Sequence, residues 1–262
     1  HYSSRRQRQM CIRDRDDAEA IKKDLETSEN LVIIGAGYIG LEAAAIAAKK
    51  NKKVTIIEMA DRVMNRTVDP QISEYYLNLH ESYGVKFHFN TSLETINEVS
   101  NSLEVVCSDG TEVKADSVLI GAGVVPNIEL AEEAGINCDN GIIVNEFGQT
   151  NCKNIYACGD CTNHPNKILN KNLRLESVHN AMEQAKTVAS SVMNNPMEYN
   201  QVPWFWSDQY DHKLQIVGLS GDHDMVTMRG NTNDAKFMLF YTKDEELIAV
   251  DAINNPKEFL IS

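Results

Sequence analysis

Apolar residues recur along this chain in two rhythms that alternate. Leu31–Ile34 are continuously apolar, stop at Gly35-Ala-Gly37-Tyr-Ile-Gly40, and give way to Leu-Glu-Ala-Ala-Ala-Ile-Ala-Ala, a stretch of high helix propensity. This predicts a buried strand, a tight turn and a helix. Lys53–Glu58 reads as a second strand. Asp69-Pro70 is an N-cap followed by proline at the first helical position, and Ile72, Tyr76, Leu79 and Tyr83 fall on one face of the helix it opens, which is expected only to pack. Val85, Phe87 and Phe89 then alternate as a strand. Leu93–Asn97, Ser102–Cys107 and Thr111–Lys114, with a turn at Asp109-Gly110, form an antiparallel meander, and Ala115–Ile120 returns as a buried strand before Gly121-Ala-Gly123-Val-Val-Pro126-Asn127. The order is βαβαβ, meander, β.

Before this block, Ala18, Ile21 and Leu25 place a short helix over Asp16–Glu26. Beyond it, Ile128–Gly135 reads as a short helix and Gly141–Val144 as a strand. Asn154–Asp160 reads as a buried strand ending at Gly159 and an acid. Leu214–Gly218, Met225–Arg229, Phe237–Tyr241 and Leu247–Ala252 read as an antiparallel sheet.

The glycines carry the candidate chemistry. Gly35 permits the turn, Gly37 lets backbone approach a pyrophosphate, and Gly40 with the alanines lets helix lie close to strand, so that the N–H groups and positive dipole end face phosphates. Glu58 stands 18 positions beyond Gly40, where an acid accepts hydrogen bonds from an adenine-ribose diol and repels a 2′-phosphate. NAD is therefore expected over NADP, a preference that Arg62 and Arg66 could soften. The plainer alternative is a glycine turn in an ordinary βαβ unit. Asp160, at its strand end, is placed to accept a hydroxyl from a sugar chain.

Charge and composition narrow the partners. With 25 basic against 38 acidic residues the net charge is −13, which argues against a nucleic-acid or anionic-membrane surface. No apolar run approaches the ~20 residues of a membrane span and no secretory leader is seen, so the cytoplasm is the expected location. Residues 1–15 hold five arginines without amphipathic period, and read as a foreign head or, alternatively, a basic tail.

Taken together, Gly-x-Gly-Tyr-Ile-Gly-Leu-Glu, Val-Val-Pro126-Asn127, Ile155-Tyr-Ala-Cys-Gly-Asp160, Arg174-Leu-Glu-Ser177-Val178-His-Asn-Ala181 and Trp204-Phe-Trp206-Ser-Asp-Gln-Tyr210-Asp resemble the FAD- and NAD(P)-dependent ferredoxin reductases of the putidaredoxin and rhodocoxin reductase type. The resemblance runs from about Asp16 to the end. It implies the glutathione-reductase fold, here an α/β chain with a Rossmann-like NAD-binding domain, a partial FAD-binding domain and an α+β C-terminal reductase domain, with boundaries at 16–127, 128–200 and 201–262. It implies hydride transfer from NADH to FAD, then single electrons to an iron-sulfur carrier, a ferredoxin or rubredoxin.

By the same resemblance, Gly35, Gly37, Tyr38, Ile39 and Gly40 hold the NADH pyrophosphate and Glu58 the ribose. Glu42 lies near the nicotinamide carboxamide, with Gly123 lining that site. Gly159 and Asp160 meet the flavin ribityl or pyrophosphate region, Ser177 and Val178 open the helix whose backbone faces the isoalloxazine, and Trp206 sits beside that ring on the path to the carrier. Only one GxGxxG occurs, so the chain is expected to be a fragment that binds FAD poorly, with residues 128–192 lacking their sheet partners and the C-terminal sheet stopping short of its final helix. Other readings are the reductase part of a nitrite reductase, an apoptosis-inducing-factor-like NADH oxidase, or a non-catalytic NAD-binding module.

Other polar residues invite plainer readings. Cys158 and Cys161, with Cys152 near, have the spacing of a redox pair or a metal site but lack a second pair of ligands. His164, His179 and His212 have no partner acid or nucleophile at motif spacing and are read as surface or packing residues. Trp204 and Trp206 are expected to alternate across a strand, so that only Trp206 faces the flavin. Lys49, Lys50, Lys52 and Lys53 crowd a helix end, where cations suit the dipole.

Overall fold

The computed structural model describes residues 15–100 and 102–261 and, for backbone alone, Gln9 and Met10. The chain divides into two compact units, the first reaching Gly123 and including Ser207–His212, the second comprising Val124–Trp206 and Lys213 onward.

The first unit contains β1 (Gln9–Met10), α1 (Arg15–Thr27), β2 (Asn30–Ile34), α2 (Tyr38–Lys49), β3 (Lys53–Ile57), α3 (Pro70–Ser82), β4 (Lys86–His88), β5 (Leu93–Val99), β6 (Ser102–Cys107), β7 (Glu112–Ala115) and β8 (Ser117–Ile120). Its main sheet has the order β1-β8-β2-β3-β4, every pair parallel, with Ile33 level with Ile56 on one side and Leu119 on the other. Parallel strands of this kind are covered on both faces, which is why β2 and β3 read as apolar runs rather than alternations. The antiparallel meander β5-β6-β7 covers one face: Leu103, Val105 and Cys107 point inward at every second position of β6 and pack with Val32, Ile34, Ile57 and Val118. On α2, Leu41, Ala44, Ala45 and Ala48 are buried.

Helix boundaries follow the sequence closely where a cap is written into it. Asp69 accepts the Gln71 N–H at 2.9 Å and Pro70 opens α3. The buried face of α3 is Ile72, Ser73, Tyr76 and His80, however, while Tyr83 is exposed. On α1, Ile21 and Leu25 are buried and Ala18 is exposed. The expectation that residues 1–15 stand apart gives way at Gln9–Met10, which extend the main sheet beside β8, and at Arg15, which begins α1. Residues 1–8 and 11–14 lie outside the described residues.

The second unit contains α4 (Glu129–Glu133), β9 (Ile142–Ile143), β10 (Thr162–Asn166), β11 (Lys171–Leu173) and α5 (Val178–Val192). It continues with β12 (Trp204–Gln209) as far as Trp206, β13 (His212–Gly218) from Lys213, β14 (Met225–Asn231), β15 (Lys236–Lys243), β16 (Glu246–Ile253) and α6 (Pro256–Phe259). Residues expected to lack sheet partners form a small sheet of order β11-β10-β9. The C-terminal sheet has the order β12-β13-β16-β15-β14 and packs Met238, Val250 and Ala252 against Phe259 and Trp204.

Asn154–Asp160 is not a buried strand. It makes one antiparallel bridge, Tyr156 to Gln149, and Ile155 is exposed. A strand is defined by a partner along its length, and among the described residues it is the short 148–150 segment that bonds to this stretch.

Candidate dinucleotide site

The glycine loop sits where β2 turns into α2. Gly35 has φ +101°, a conformation that L residues rarely adopt, and a Cβ there would press on the carbonyl of Gly121. A Cβ on Gly40 would run into the Gly35 carbonyl oxygen, so helix and strand touch only because both positions are bare. Gly37 is different. It is the N-cap of α2, no side chain caps the helix, and a Cβ built on it meets nothing within 4 Å. Open space in front of an uncapped helix start suits a diphosphate. Tyr38 and the exposed Ile39 flank it.

Glu58, just past β3, turns its carboxylate onto this loop. Oε2 accepts the Ala36 N–H at 2.6 Å and Oε1 accepts the Ala60 N–H at 2.7 Å. Each oxygen keeps lone-pair capacity for a further donor, such as a ribose hydroxyl. Arg62 is committed to the fold: Nη1 donates to Val68 O at 2.9 Å and to Ser73 Oγ at 2.6 Å, and Nη2 to Asn65 O at 2.8 Å. The exposed Arg66 instead lies near Gly123, where an added Cβ would come into contact with its guanidinium.

Glu42 lies one turn into α2 and is half-buried. Ser207 Oγ donates to its Oε1 at 2.6 Å, Gln209 Nε2 donates to Ser207 Oγ at 3.1 Å, His80 Nε2 lies 2.9 Å from Gln209 Oε1, and Tyr210 OH lies 3.0 Å from His80 Nδ1. Burial pushes the Glu42 carboxyl up, the Ser207 hydroxyl pulls it back, the Asp208 carboxylate adds to the rise and the Asp208 backbone N–H opposes it. Burial holds His80 down at about 4, so it is neutral at physiological pH. His80, Ser207 and Gln209 escaped sequence reasoning: a histidine in an amphipathic helix looks like packing until its partner 129 positions on is known.

In the second unit, Gly159, Asp160, Ser177 and Val178 come together at the start of α5. The Gly159 N–H donates to Gln184 Oε1 at 2.7 Å, and a Cβ on Gly159 would touch Ala181. Ser177 caps α5 by accepting the Asn180 N–H at 3.1 Å, while its own N–H goes to Asp160. Partial burial and the Glu176 carboxylate push Asp160 up, and Arg174 opposes them. Val178 is exposed.

The plainer candidates resolve locally. Cys161 leans on the Cys158 carbonyl at 3.7 Å and burial pushes its thiol up, the reverse of an activated thiolate. Among the described residues no three His, Cys, Asp or Glu side chains converge on a metal position. His164 packs edge-on against Tyr199, His179 edge-on against Trp204, and His212 Nδ1 lies 2.6 Å from Tyr75 OH. Lys49 pairs with Asp211 at 2.7 Å and Lys52 with Glu29 at 2.9 Å. Trp204 and Trp206 do not face opposite ways: their rings lie 5.0 Å apart at 32°, because residues two apart on a strand share a face. No helix among the described residues is long and apolar enough to cross a membrane.

Known proteins match both units. The family model described as pyridine nucleotide-disulphide oxidoreductase matches residues 5–185, and the model described as reductase C-terminal matches residues 204–262. Putidaredoxin reductase of Pseudomonas putida is 41% identical over 95% of this chain and 60% of its own length; rhodocoxin reductase of Rhodococcus erythropolis is 39% identical over 95% and 58%. Among solved structures, the ferredoxin reductase for the CYP199A2 system from Rhodopseudomonas palustris superposes with a TM-score of 0.90 at 38% identity, over 94% of this chain and 61% of that one. The reductase of a covalent putidaredoxin reductase–putidaredoxin complex gives 0.90 at 40% identity, over 95% and 61%. The chain thus spans about three fifths of the length of these relatives. An extended cap at Gly37, an acid held over the glycine turn and this match over more than half of the residues lead to one conclusion: the chain belongs to the pyridine nucleotide-disulphide oxidoreductase family, with a reductase C-terminal domain at its end.

Proposed function

We propose that this protein is an NADH-dependent FAD flavoprotein reductase that passes electrons to a small iron-sulfur carrier of the ferredoxin or rubredoxin type. The single observation that carries the reading is the Glu58 carboxylate, fixed by the Ala36 and Ala60 N–H groups directly over the loop that leads into the uncapped start of α2. An anion there favours an unmodified ribose diol and disfavours a 2′-phosphate, which supports NADH over NADPH. The names of the relatives, a putidaredoxin reductase and a rhodocoxin reductase, support the iron-sulfur carrier as acceptor.

In this reading Gly35, Gly37, Tyr38, Ile39 and Gly40 hold the pyrophosphate, Glu58 takes the ribose, and Glu42 with Gly123 orients the nicotinamide carboxamide. Gly159, Asp160, Ser177 and Val178 form the flavin-facing surface of the second unit, and Trp206 stands beside the ring on the path to the carrier. The fit of this surface to a flavin rests on the backbone N–H groups of Val178 and His179 at the start of α5, beside an acid suited to a ribityl hydroxyl. FAD supplies the chemistry of accepting a hydride and releasing single electrons. The chain's own residues bind, orient and exclude water. A cytoplasmic location follows from NADH as donor, and the cysteines described are free rather than bridged.

Calorimetric titration tests the reading. NADH is expected to bind about tenfold or more tightly than NADPH, and Glu58→Arg to narrow or reverse that preference. Absence of heat with either dinucleotide, or unchanged selectivity in the variant, overturns it.

A further inference from the structure

We propose that Ser207, Gln209 and His80 are positioning residues that aim the Glu42 carboxylate at the carboxamide of a bound nicotinamide ring. The inference rests on the dinucleotide reading above and concerns groups to which the sequence alone assigned no role.

The direction of every bond in the chain follows from its end. An ionised carboxylate only accepts, so Ser207 must donate to Glu42 Oε1. The Ser207 oxygen is then left to accept, which requires the Gln209 amide nitrogen on that side; the second N–H of that nitrogen points to Met64 Sδ at 3.9 Å. Gln209 Oε1 therefore faces His80, which fixes the proton on Nε2 and leaves Nδ1 to accept from the Tyr210 hydroxyl. Donors run one way, from Tyr210 to Glu42. The members are deeply buried, with His80 and Gln209 at 0% and Ser207 at 1% exposure. A satisfied buried network of this kind admits one arrangement, since reversing any member leaves a polar atom unpaired.

The chain does not conduct protons. Passage through Gln209 would require its amide to become an imidic acid, and the neutral His80 has its proton committed. Its effect is on geometry: the Ser207 hydroxyl, with the Asp208 N–H, fixes the orientation of the Glu42 carboxylate, whose remaining lone pairs are held as acceptors. A carboxamide offers an N–H donor to such an oxygen; the 3-acetylpyridine analogue of NAD, with methyl in place of NH2, does not. Other groups facing Glu42 are Asp208, on the same segment as Ser207, and the buried Tyr76 of α3, whose hydroxyl has no partner among the described residues. The Asp208 backbone N–H is a second donor to Glu42, and the Ser207 hydroxyl is the stronger of the two in favouring the ionised form.

The test compares the affinities of NAD and the acetylpyridine analogue from pH 5 to 9. The unaltered protein is expected to prefer NAD. Ser207→Ala should reduce that preference about fivefold and shift the acid midpoint of NAD binding to higher pH, because Glu42 loses the stronger of the two donors that favour its ionised form. Ser207→Thr should restore both. Gln209→Glu keeps size but cannot donate to Ser207, so it should turn the serine hydroxyl away from Glu42 and mimic Ser207→Ala. Should Gln209→Glu not fold, the Ser207 pair decides alone, since it changes one buried atom. Unchanged preference and midpoint in Ser207→Ala overturn the proposal; if Glu42→Gln still loses the preference, the dinucleotide reading stands without it. Failure of the unaltered protein to bind either dinucleotide overturns both.

Discussion

Two helices in this molecule start at a predicted ligand site, and they start differently. At α2 the N-cap is Gly37, which has no side chain to cap the helix, and the space in front of it is open. At α5 the N-cap is Ser177, whose hydroxyl takes the Asn180 N–H and whose own N–H is taken by Asp160. Both sites have the same dipole and an acid nearby, but at α2 Glu58 binds N–H groups of the loops and not of the N-cap residue, whereas at α5 Asp160 takes the N–H of the cap residue itself. The first start suits the diphosphate proposed above, and the second suits a ligand that accepts one or two hydrogen bonds without bringing a full charge to Asp160. Helix-end arguments from sequence treat these two places alike; the cap separates them.

The largest effects should come from the glycines that make the first start possible. Gly40→Ala puts a methyl group into the Gly35 carbonyl and is expected to cost about 3 kcal/mol or more in stability, read from urea unfolding. Gly37→Ala meets open space and should change stability by under about 1 kcal/mol. Yet it should weaken NADH binding about tenfold or more, because its methyl group enters the space proposed above for the pyrophosphate. If both variants lose stability equally, the space before Gly37 is not a ligand space.

Each start also has a buried histidine behind it, and acid should tell the two apart. His80 makes hydrogen bonds through both ring nitrogens. His164 makes none among the described residues and touches Tyr199, whose hydroxyl donates to Asn180 in the first turn of α5. Burial lowers both histidines, His80 to about 4 from 6.5. A folded-state value below the unfolded one means stability that is present above pH 6.5 and lost as pH falls toward 4. For His80 this amounts to roughly 2 kcal/mol between pH 7 and pH 5. Urea midpoints at the two pH values measure it, and His80→Gln should flatten the dependence of the first unit. A slope unchanged by that substitution would assign the acid sensitivity elsewhere.

What was legible in the sequence is what is decided within one turn or one strand pair. Asp69-Pro70 wrote the start of α3, Asp109-Gly110 the meander hairpin, and the glycine spacing the β2–α2 junction. Asn154–Asp160 misled because an apolar run declares its appetite for burial and not whether a neighbouring strand will pair with it. The tryptophans were misplaced by a parity error, since a strand repeats every two residues. The chain behind Glu42 was invisible for another reason: Ser207 reaches it from 165 positions away. No local periodicity carries a contact of that range.

The smallest expected effect is the one that bears most directly on the contrast between the helix starts. Ser177→Ala removes one hydrogen bond to the Asn180 N–H and should cost about 1 kcal/mol. The global transition would move by only about 2–4 °C, so the sharper readout is hydrogen exchange at Asn180, which should accelerate while the amides of β2 and β3 stay protected. The reciprocal change, Gly37→Ser, gives α2 the cap that α5 owns. A serine hydroxyl there competes with phosphate oxygens for the same N–H groups, so the variant should fold at least as stably and bind NADH less tightly. If Gly37→Ser left affinity untouched, the absence of a cap at α2 would be incidental to the ligand, and the two helix starts would differ in sequence without differing in use.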